Sequence, residues 1–166
     1  MYQSLQQFLN DWKHESSLTS NVLSALTDES LNQKVTETKG RTLGELAWHV
    51  TTSVGGMFGA GGLQLADVPL KEAPPSSARQ IVEGYRQAAA AVATALKEQW
   101  SDGKLSDSLL LFGSIDTTYG GLLTIVLRHE IHHRGQMTIL MRQAGLVPPG
   151  VYGPNEEEFA AMFGGR

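Results

Sequence analysis

A long helical pattern near the end of the chain, from about Thr118 to Ala144, carries two histidines on its apolar face. Since an α-helix has 3.6 residues per turn, His129 and His133 are separated by about 40° in azimuth and about 6 Å along the axis. Both imidazoles therefore leave the same face of the helix. That face also carries apolar residues that a bundle would bury, namely Leu122, Ile125, Val126, Met137 and Leu140.

Two interpretations of this histidine pair are open. Histidines at i and i+4 occur by chance on solvated helix faces, where they have no chemical role. On a buried face each ring nitrogen needs a partner, and a shared divalent transition metal satisfies one nitrogen of each ring. The chain has no cysteine, so a metal would have to be held by His, Asp, Glu or water.

Three further segments have helical periodicity, and together with the first they predict an all-α four-helix bundle with long irregular connections. Their expected bounds are about 2–26, 42 to the glycines at 55, 56 and 59, and 76 or 77 to about 100. Thr42 and Glu45 have the spacing of a capping box, and Gly145 is placed to end the last helix. The glycines predict either a short second helix or a glycine-rich loop beside the histidines.

The connections are uneven in composition. A polar link is expected over 27–41, a loop rich in Gly and Pro over 59–75, and a short extended segment over 109–112 within the connection 101–117. Tyr152 and Phe159 are expected to anchor the tail. No linker of domain size interrupts the 166 residues, of which 41% are hydrophobic, so we expect one domain over 1–166.

Charge and hydropathy exclude several classes of protein. The net charge is −4 and the basic residues do not cluster, which argues against nucleic-acid binding. No stretch of eighteen apolar residues is present, so no transmembrane helix is expected. The first residues lack a basic start followed by an apolar run, and a cytoplasmic location is the resulting expectation.

His49 follows Trp48 in the second helix and is the candidate for a third ligand. A lone histidine beside an apolar stripe is more often a hydrogen-bonded core or edge residue than a ligand. If the second helix faces the fourth, however, His49 meets the His129/His133 pair. Three neutral imidazoles leave a coordination position open, as catalytic rather than structural metal sites do. His14 lies in the polar part of the first helix and is expected to be exposed.

Three segments carry a resemblance to a known family. They are VLSALTDESL at 22–31, TLGELAWHV at 42–50, and HEIHHRGQ at 129–136, the last followed by LMRQAG and two prolines. With them the chain resembles the DinB/YfiT-like superfamily of metal-binding four-helix bundles over nearly its whole length. The resemblance implies a metal held by His49, His129 and His133. It assigns His133 rather than His132 as the ligand and leaves His132 on the helix flank.

The resemblance also implies a function. Members of the family often act as transferases or isomerases with a low-molecular-weight thiol, so a metal-dependent transferase that joins such a thiol to an electrophile is expected, as a homodimer, in stress or detoxification. All-imidazole ligation suits nickel or zinc and disfavours calcium or magnesium. A hydrolase that uses a metal-bound water and a non-catalytic dimeric metal-binding protein are the alternatives.

Four neighbours of the histidines have expected roles. Arg134 and Gln136 are expected mainly to pack, with ligand orientation or interhelical hydrogen bonds as the alternative. Glu45 is expected to cap its helix rather than to bond His49. Gly135 costs about 1 kcal/mol relative to Ala in mid-helix, and close contact with another helix would explain it.

Overall fold

The computed structural model describes residues 1–66, 68–69 and 73–164 and confirms the all-α bundle. Four long helices form it: α1 (Leu5–Ser24), α2 (Leu43–Ala60), α3 (Ala78–Gln99) and α4 (Tyr119–Gln143). Two antiparallel strands form a hairpin: β1 (Ser108–Leu111), which matches the extended segment expected over 109–112, and β2 (Ile115–Thr118). The sequence predicted neither β2 nor the C-terminal helix α5 (Glu156–Phe163).

In the bundle, α1 and α2 are each flanked by α3 and α4. α1 packs mainly against α3 and α4, and α2 also packs mainly against α3 and α4. The core between them contains an aromatic cluster in which the Phe8 ring stacks on Trp12 at 5.8 Å and meets Phe58 edge-on at 6.2 Å. The Trp12 indole N–H donates to the carbonyl of Ala89 at 3.0 Å, so its one polar group is satisfied inside the core. This packing places α2 beside α4.

The second helix runs past Gly55 and Gly56 and ends at Ala60, one residue after Gly59, the last of the glycines at which the sequence predicted its end. α2 continues to Ala60 because Val54, Gly55 and Phe58 are all buried against the core. Burial of an apolar face stabilises a helix by more than the roughly 0.5–1 kcal/mol that each interior glycine costs. A rigid helical wall, not a glycine-rich loop, therefore follows His49.

The predicted signals at the helix ends are confirmed. The Thr42 hydroxyl accepts from the Glu45 amide at 3.1 Å, while the Glu45 carboxylate accepts from the Thr42 amide at 2.7 Å. Gly145 follows α4 with φ of +77°, and the amides of Gly145 and Leu146 donate back to the carbonyls of Arg142 and Met141. This is the Schellman arrangement that favours glycine. The start of α2 at Thr42 and the end of α4 at Gly145 are thus fixed by local hydrogen bonds, and these are the two helices that carry the histidines.

The tail after Gly145 is only partly anchored in the way the sequence predicted. Tyr152 is held by its hydroxyl, which bonds Arg134 and Glu15. Phe159 is 56% exposed and anchors nothing, which corrects the prediction. Charged Glu157 pairs with Arg142 of α4 instead, so α5 is attached to the bundle through an ion pair.

The predicted loop over 59–75 begins only after Ala60. Asp67, Leu70, Lys71 and Glu72 of that loop lie outside the described residues, as do the last two residues of the expected domain. Within the described ranges, no helix combines the length and the apolar character needed to cross a membrane.

Candidate metal centre

Three histidine rings converge where α2 meets α4. The Nε2 atom of His129 lies 3.2 Å from Nε2 of His49 and 3.1 Å from Nε2 of His133. One ligand atom from each of the three rings lies within 4.8 Å of the others. The three predicted residues are thus brought together, and each ring is partly buried.

The separations fit a shared divalent cation. Transition metals bind imidazole nitrogen at about 2.0–2.1 Å, so two nitrogens on one metal are about 2.9 Å apart at a right angle and about 3.4 Å apart at the tetrahedral angle. The observed separations of 3.2 and 3.1 Å fall between these values. These two separations are therefore compatible with a shared metal, and the ligand atoms of the third pair, His49 and His133, lie within 4.8 Å of each other.

Two hydrogen bonds decide which nitrogen faces the centre. Nδ1 of His133 donates to the Gln136 side-chain oxygen at 2.7 Å. The Ser53 hydroxyl donates to the His49 carbonyl at 2.6 Å, so its oxygen accepts from His49 Nδ1 at 3.3 Å. Both neutral rings then turn an Nε2 lone pair toward His129. A proton on His129 Nε2 satisfies only one of these lone pairs, whereas a shared cation satisfies all three rings.

Burial keeps the three rings neutral. Desolvation is the main cause that lowers the pKa of His49 and of His129 from 6.5 to about 4, and it also lowers the pKa of His133. The positive charge of Arg41 acts in the same direction on all three. Neutral imidazole is the form that binds a metal. The rings are therefore in their ligand form at neutral pH.

A buried polar network lies on another face of α4. Glu130 directly follows His129 in sequence, so its side chain leaves the helix about 100° around the axis from the His129 ring. Glu130 is 2% exposed, and its Oε1 atom accepts from the hydroxyls of Thr19 at 2.7 Å and Tyr85 at 2.6 Å. Burial raises the pKa of Glu130, although both hydrogen bonds oppose that shift. The other oxygen, Oε2, has no hydrogen-bond partner among the described residues. The network ties α4 to α1 and α3.

Arg134 extends this network toward the tail. Its guanidinium donates to the carboxylate of Glu15 at 2.6 Å, to the Thr19 hydroxyl at 3.1 Å and to the Tyr152 hydroxyl at 2.6 Å. Arg134 is 1% exposed, so its charge is stabilised by these partners rather than by water. It makes the interhelical hydrogen bonds that were the alternative to a simple packing role.

An apolar cavity of about 460 Å³ opens on one side of the histidines. Its walls are formed by His49, Thr52, Ser53, Gly56, Met57, Phe112 and His129. The Thr52 and Ser53 hydroxyls donate to carbonyls of their own helix, so neither has a free donor for a ligand. Phe112 stands at the turn of the hairpin with φ of +53° and is 57% exposed. This cavity suits an apolar molecule.

A second cavity, of about 410 Å³, lies on the His133 side. Its polar groups come from Arg41, Gln136 and Gln143, and Val35, Leu46 and Ile139 add aliphatic carbon. No Asp or Glu lines either cavity within the described ranges. A larger groove of about 690 Å³ between α1 and α3 shares no lining residue with the two. The histidines thus separate an apolar cavity from a cationic one.

Several secondary predictions are corrected or confirmed here. Gln136 orients His133, so the packing role expected for it is wrong. Glu45 caps α2 as expected. A Cβ on Gly135 would meet no atom within 4 Å, so a close contact with another helix does not explain this glycine. His14 is exposed, as predicted.

The sequence reasoning missed three residues of the site. Ser53 stands four residues after His49 on the same helix, a spacing that places two side chains in contact. That spacing was a usable signal. Arg41 and Phe112 reach the site from a loop and a hairpin turn, for which no sequence spacing gives a signal.

The chain matches the family model described as the DinB family over residues 1–163. The uncharacterised protein YrdA of Bacillus subtilis (strain 168) is 43% identical over 161 residues, which are 96% of this chain and 95% of YrdA.

Two solved structures have the same fold. A DinB-like protein from Bacillus cereus ATCC 10987 is 39% identical with a TM-score of 0.86, covering 92% of this chain and 100% of the other. The DinB-like protein YjoA of Bacillus subtilis is 19% identical with a TM-score of 0.65, covering 90% and 99%, and at that identity it supports the fold alone. The family model and the identity to YrdA together show that this chain belongs to the DinB family.

Proposed function

We propose that this protein is a divalent-metal-dependent transferase that joins a low-molecular-weight thiol to an electrophile in stress or detoxification. The observation that carries the proposal is the three-histidine group with a cavity on each side. A transfer between two small molecules needs two binding places that meet at one reactive point. Three imidazole ligands suit nickel or zinc and disfavour calcium or magnesium.

Each residue has a task in such a reaction. A cation bound by His49, His129 and His133 would supply Lewis acidity that lowers the pKa of a thiol. Ser53 and Gln136 hold two of the rings in the tautomer that turns Nε2 to the centre. The walls near Met57 and Phe112 exclude water from an apolar electrophile. In the transfer, sulfur bonds to carbon, the leaving group departs with its electron pair, and the thiol proton passes to solvent.

The absence of a carboxylate favours this reaction over hydrolysis. A metal-dependent hydrolase commonly uses a Glu or Asp as the base that activates water. Neither cavity has one among the described lining residues, and the Glu130 carboxylate is turned to Thr19 and Tyr85. A thiol needs no such base because it ionises far more readily than water.

The test is an assay of protein loaded with zinc or nickel, given 2-mercaptoethanol, cysteine or 3-mercaptopropionate and the chromogenic electrophile 1-chloro-2,4-dinitrobenzene. We expect thioether formation that requires metal and falls to background in His49→Ala, while exposed His132→Ala keeps it. Cleavage of a nitrophenyl ester without any thiol would replace the transferase with the hydrolase. Bound metal with neither activity would replace it with the non-catalytic protein.

The apolar cavity can be filled without touching a histidine. Gly56 lies on α2 and lines the cavity, and a Cβ there meets no atom within 4 Å. The leucine side chain of Gly56→Leu would therefore occupy part of the cavity. We expect turnover of the aromatic electrophile to fall about tenfold or more with metal content unchanged. Gly59→Leu, on the same helix and also in open space, lies outside the cavity and should have no such effect.

Other expectations stay predictions. The homodimer is implied by the family resemblance, whereas the cytoplasmic location, the single domain over 1–166 and the lack of a nucleic-acid partner come from the composition and charge of the sequence. Light scattering of the purified chain tests the first directly. A molecular mass near 18 kDa would contradict the homodimer, and a mass about twice that would confirm it.

A further inference from the structure

The cavity beside His133 contains a positive charge that has no ion-pair partner among the described residues. Arg41 is exposed and lines this cavity. Three ion pairs occur among the described residues, Arg79–Glu83, Arg134–Glu15 and Arg142–Glu157, and Arg41 belongs to none of them. No carboxylate lines the cavity in that part of the chain. A guanidinium with open donors can bind a carboxylate with two parallel hydrogen bonds.

The backbone around Arg41 is held by hydrogen bonds. The Leu43 amide donates to the Gln33 carbonyl at 2.8 Å, and Lys34 forms an isolated antiparallel bridge with Thr42. The capping box at Thr42 fixes the next residue in the chain. Arg41 is therefore presented to the cavity from a defined backbone position and not from a freely moving loop.

The remaining walls describe the molecule that would bind. Gln136 and Gln143 carry side-chain amides, and Val35, Leu46 and Ile139 give aliphatic carbon. His133 lines the same cavity, and the charge of Arg41 is felt at the three rings, where it helps to lower their pKa. A ligand with an anionic end at Arg41 and a short aliphatic body would thus lie against the three-histidine group.

We propose that Arg41 is a specificity residue that binds the carboxylate of a small anionic thiol, with the apolar cavity on the other side of the histidines left for the electrophile. This inference rests on the proposed thiol-transfer function. It names the substrate class of each side: an acidic aliphatic thiol near His133 and an uncharged apolar electrophile near Phe112.

The test compares three probes by calorimetric titration of the zinc-loaded protein. They are 3-mercaptopropionate, its uncharged methyl ester, and 3-hydroxypropionate, which keeps the charge and lacks sulfur. Because Arg41 is exposed, its pairing is worth a modest amount, and we expect the acid to bind about fivefold tighter than the ester. Arg41→Gln should remove this preference, Arg41→Lys should keep part of it, and Arg79→Gln, on α3 and outside the cavity, should keep all of it.

The outcomes separate this inference from the function on which it rests. The anion site at Arg41 is wrong if the Arg41→Gln variant still binds the acid more tightly than the ester. It is also wrong if this substitution weakens binding of the acid and of the ester by the same factor. If 3-hydroxypropionate binds as well as 3-mercaptopropionate, sulfur contributes nothing and the thiol-transfer function is contradicted. In that case a loss of 3-hydroxypropionate binding in Arg41→Gln would still support an anion site at this residue.

Discussion

At the scale of single residues, the orientation of two of the three imidazoles depends on a neighbour one turn away. Gln136 holds His133 and Ser53 holds His49 through their Nδ1 atoms. Such partners fix the tautomer and the ring plane of a ligand histidine, and their loss commonly weakens metal binding by about 10–100-fold. The site is thus larger than its three rings.

Gln136 provides a direct test of this support. In Gln136→Ala, His133 loses the acceptor for Nδ1–H, and we expect zinc affinity to fall by about 10-fold or more. Competition against a chelating indicator dye measures it. Gln143→Ala removes an amide from the same cavity without a bond to a histidine, and it should leave affinity unchanged. Equal losses in the two variants would contradict the positioning role.

The lowered histidine pKa values also predict how the metal-free protein responds to acid. The pKa of His49 and of His129 is about 4 in the folded chain and 6.5 as the ordinary value. Between these pH values the unfolded chain binds more protons, so the free energy of unfolding falls as pH is lowered from about 6.5 to 4. Above pH 6.5 this contribution is fully present.

Urea unfolding of the metal-free protein at several pH values measures the effect. The double variant His49→Gln with His129→Gln lacks both titrating rings and should lose less stability over this range. The same pH dependence in wild type and variant would show that other groups cause the loss.

The sequence predicted the ligand histidines but not their support. Spacing on one helix identifies His129 and His133 because the helix geometry is regular. Gln136 stands three residues after His133, close enough on the helix for the two side chains to meet. This spacing does not show whether the Gln136 side chain packs or forms a hydrogen bond to the imidazole. Arg41 could not be predicted, because its position depends on a loop closed by the pairing of Gln33 and Lys34 with Leu43 and Thr42.

At the scale of elements, α4 contains an interior glycine without a structural reason in the described chain. Gly135 is exposed and a Cβ there would meet nothing within 4 Å. We expect Gly135→Ala to stabilise the protein by about 1 kcal/mol, measured as a higher midpoint in thermal unfolding. Gly145→Ala, where φ is +77°, should destabilise it instead. A loss of stability in Gly135→Ala would contradict the open surroundings.

The sequence predicted the four long helices, but of the hairpin it predicted only the first strand, β1. Periodicity and end signals indicate α1, α3 and α4 within a few residues of their observed bounds. β1 matches the predicted extended segment, but β2 contains exposed Asp116 and lacks a strand pattern. Its pairing with β1 follows from the turn at 112–114, where Phe112 and Gly113 both have positive φ. A turn of this kind cannot be seen in hydrophobic periodicity.

At the scale of the whole molecule, the buried ion pair of Glu15 and Arg134, which also bonds the hydroxyl of exposed Tyr152, joins α1, α4 and the tail. Removing one partner of a buried ion pair leaves an uncompensated charge and typically costs about 3–5 kcal/mol. We therefore expect Arg134→Met to destabilise the fold by an amount in this range in urea unfolding. Glu15→Leu combined with Arg134→Met should recover much of the loss.

A matched control comes from the exposed ion pair of the tail. Arg142→Met breaks the contact with Glu157, which is solvent-exposed, and should change global stability little. A large loss in Arg142→Met, or a small one in Arg134→Met, would contradict the assignment of the network as the link between the helices and the tail.

The order of helices around the bundle was beyond sequence reasoning. Amphipathic patterns indicate that each helix has a buried face, but not which partner covers it. The neighbourhood of α2 and α4 decides whether His49 meets His129. The packing of α2 against α4 depends on how α1 and α3 pack together around residues such as Trp12. No local sequence pattern predicts that arrangement.

Metal stoichiometry tests the central claim most directly. Purified wild type and the variants His49→Ala, His129→Ala, His133→Ala, His132→Ala and His14→Ala would be loaded with zinc, dialysed and analysed by atomic emission. We predict about one zinc per chain in wild type, His132→Ala and His14→Ala, and nearly none in the other three, with helical circular dichroism retained in all. Full zinc content in His49→Ala, or equal loss in His132→Ala, would contradict a single centre formed by His49, His129 and His133.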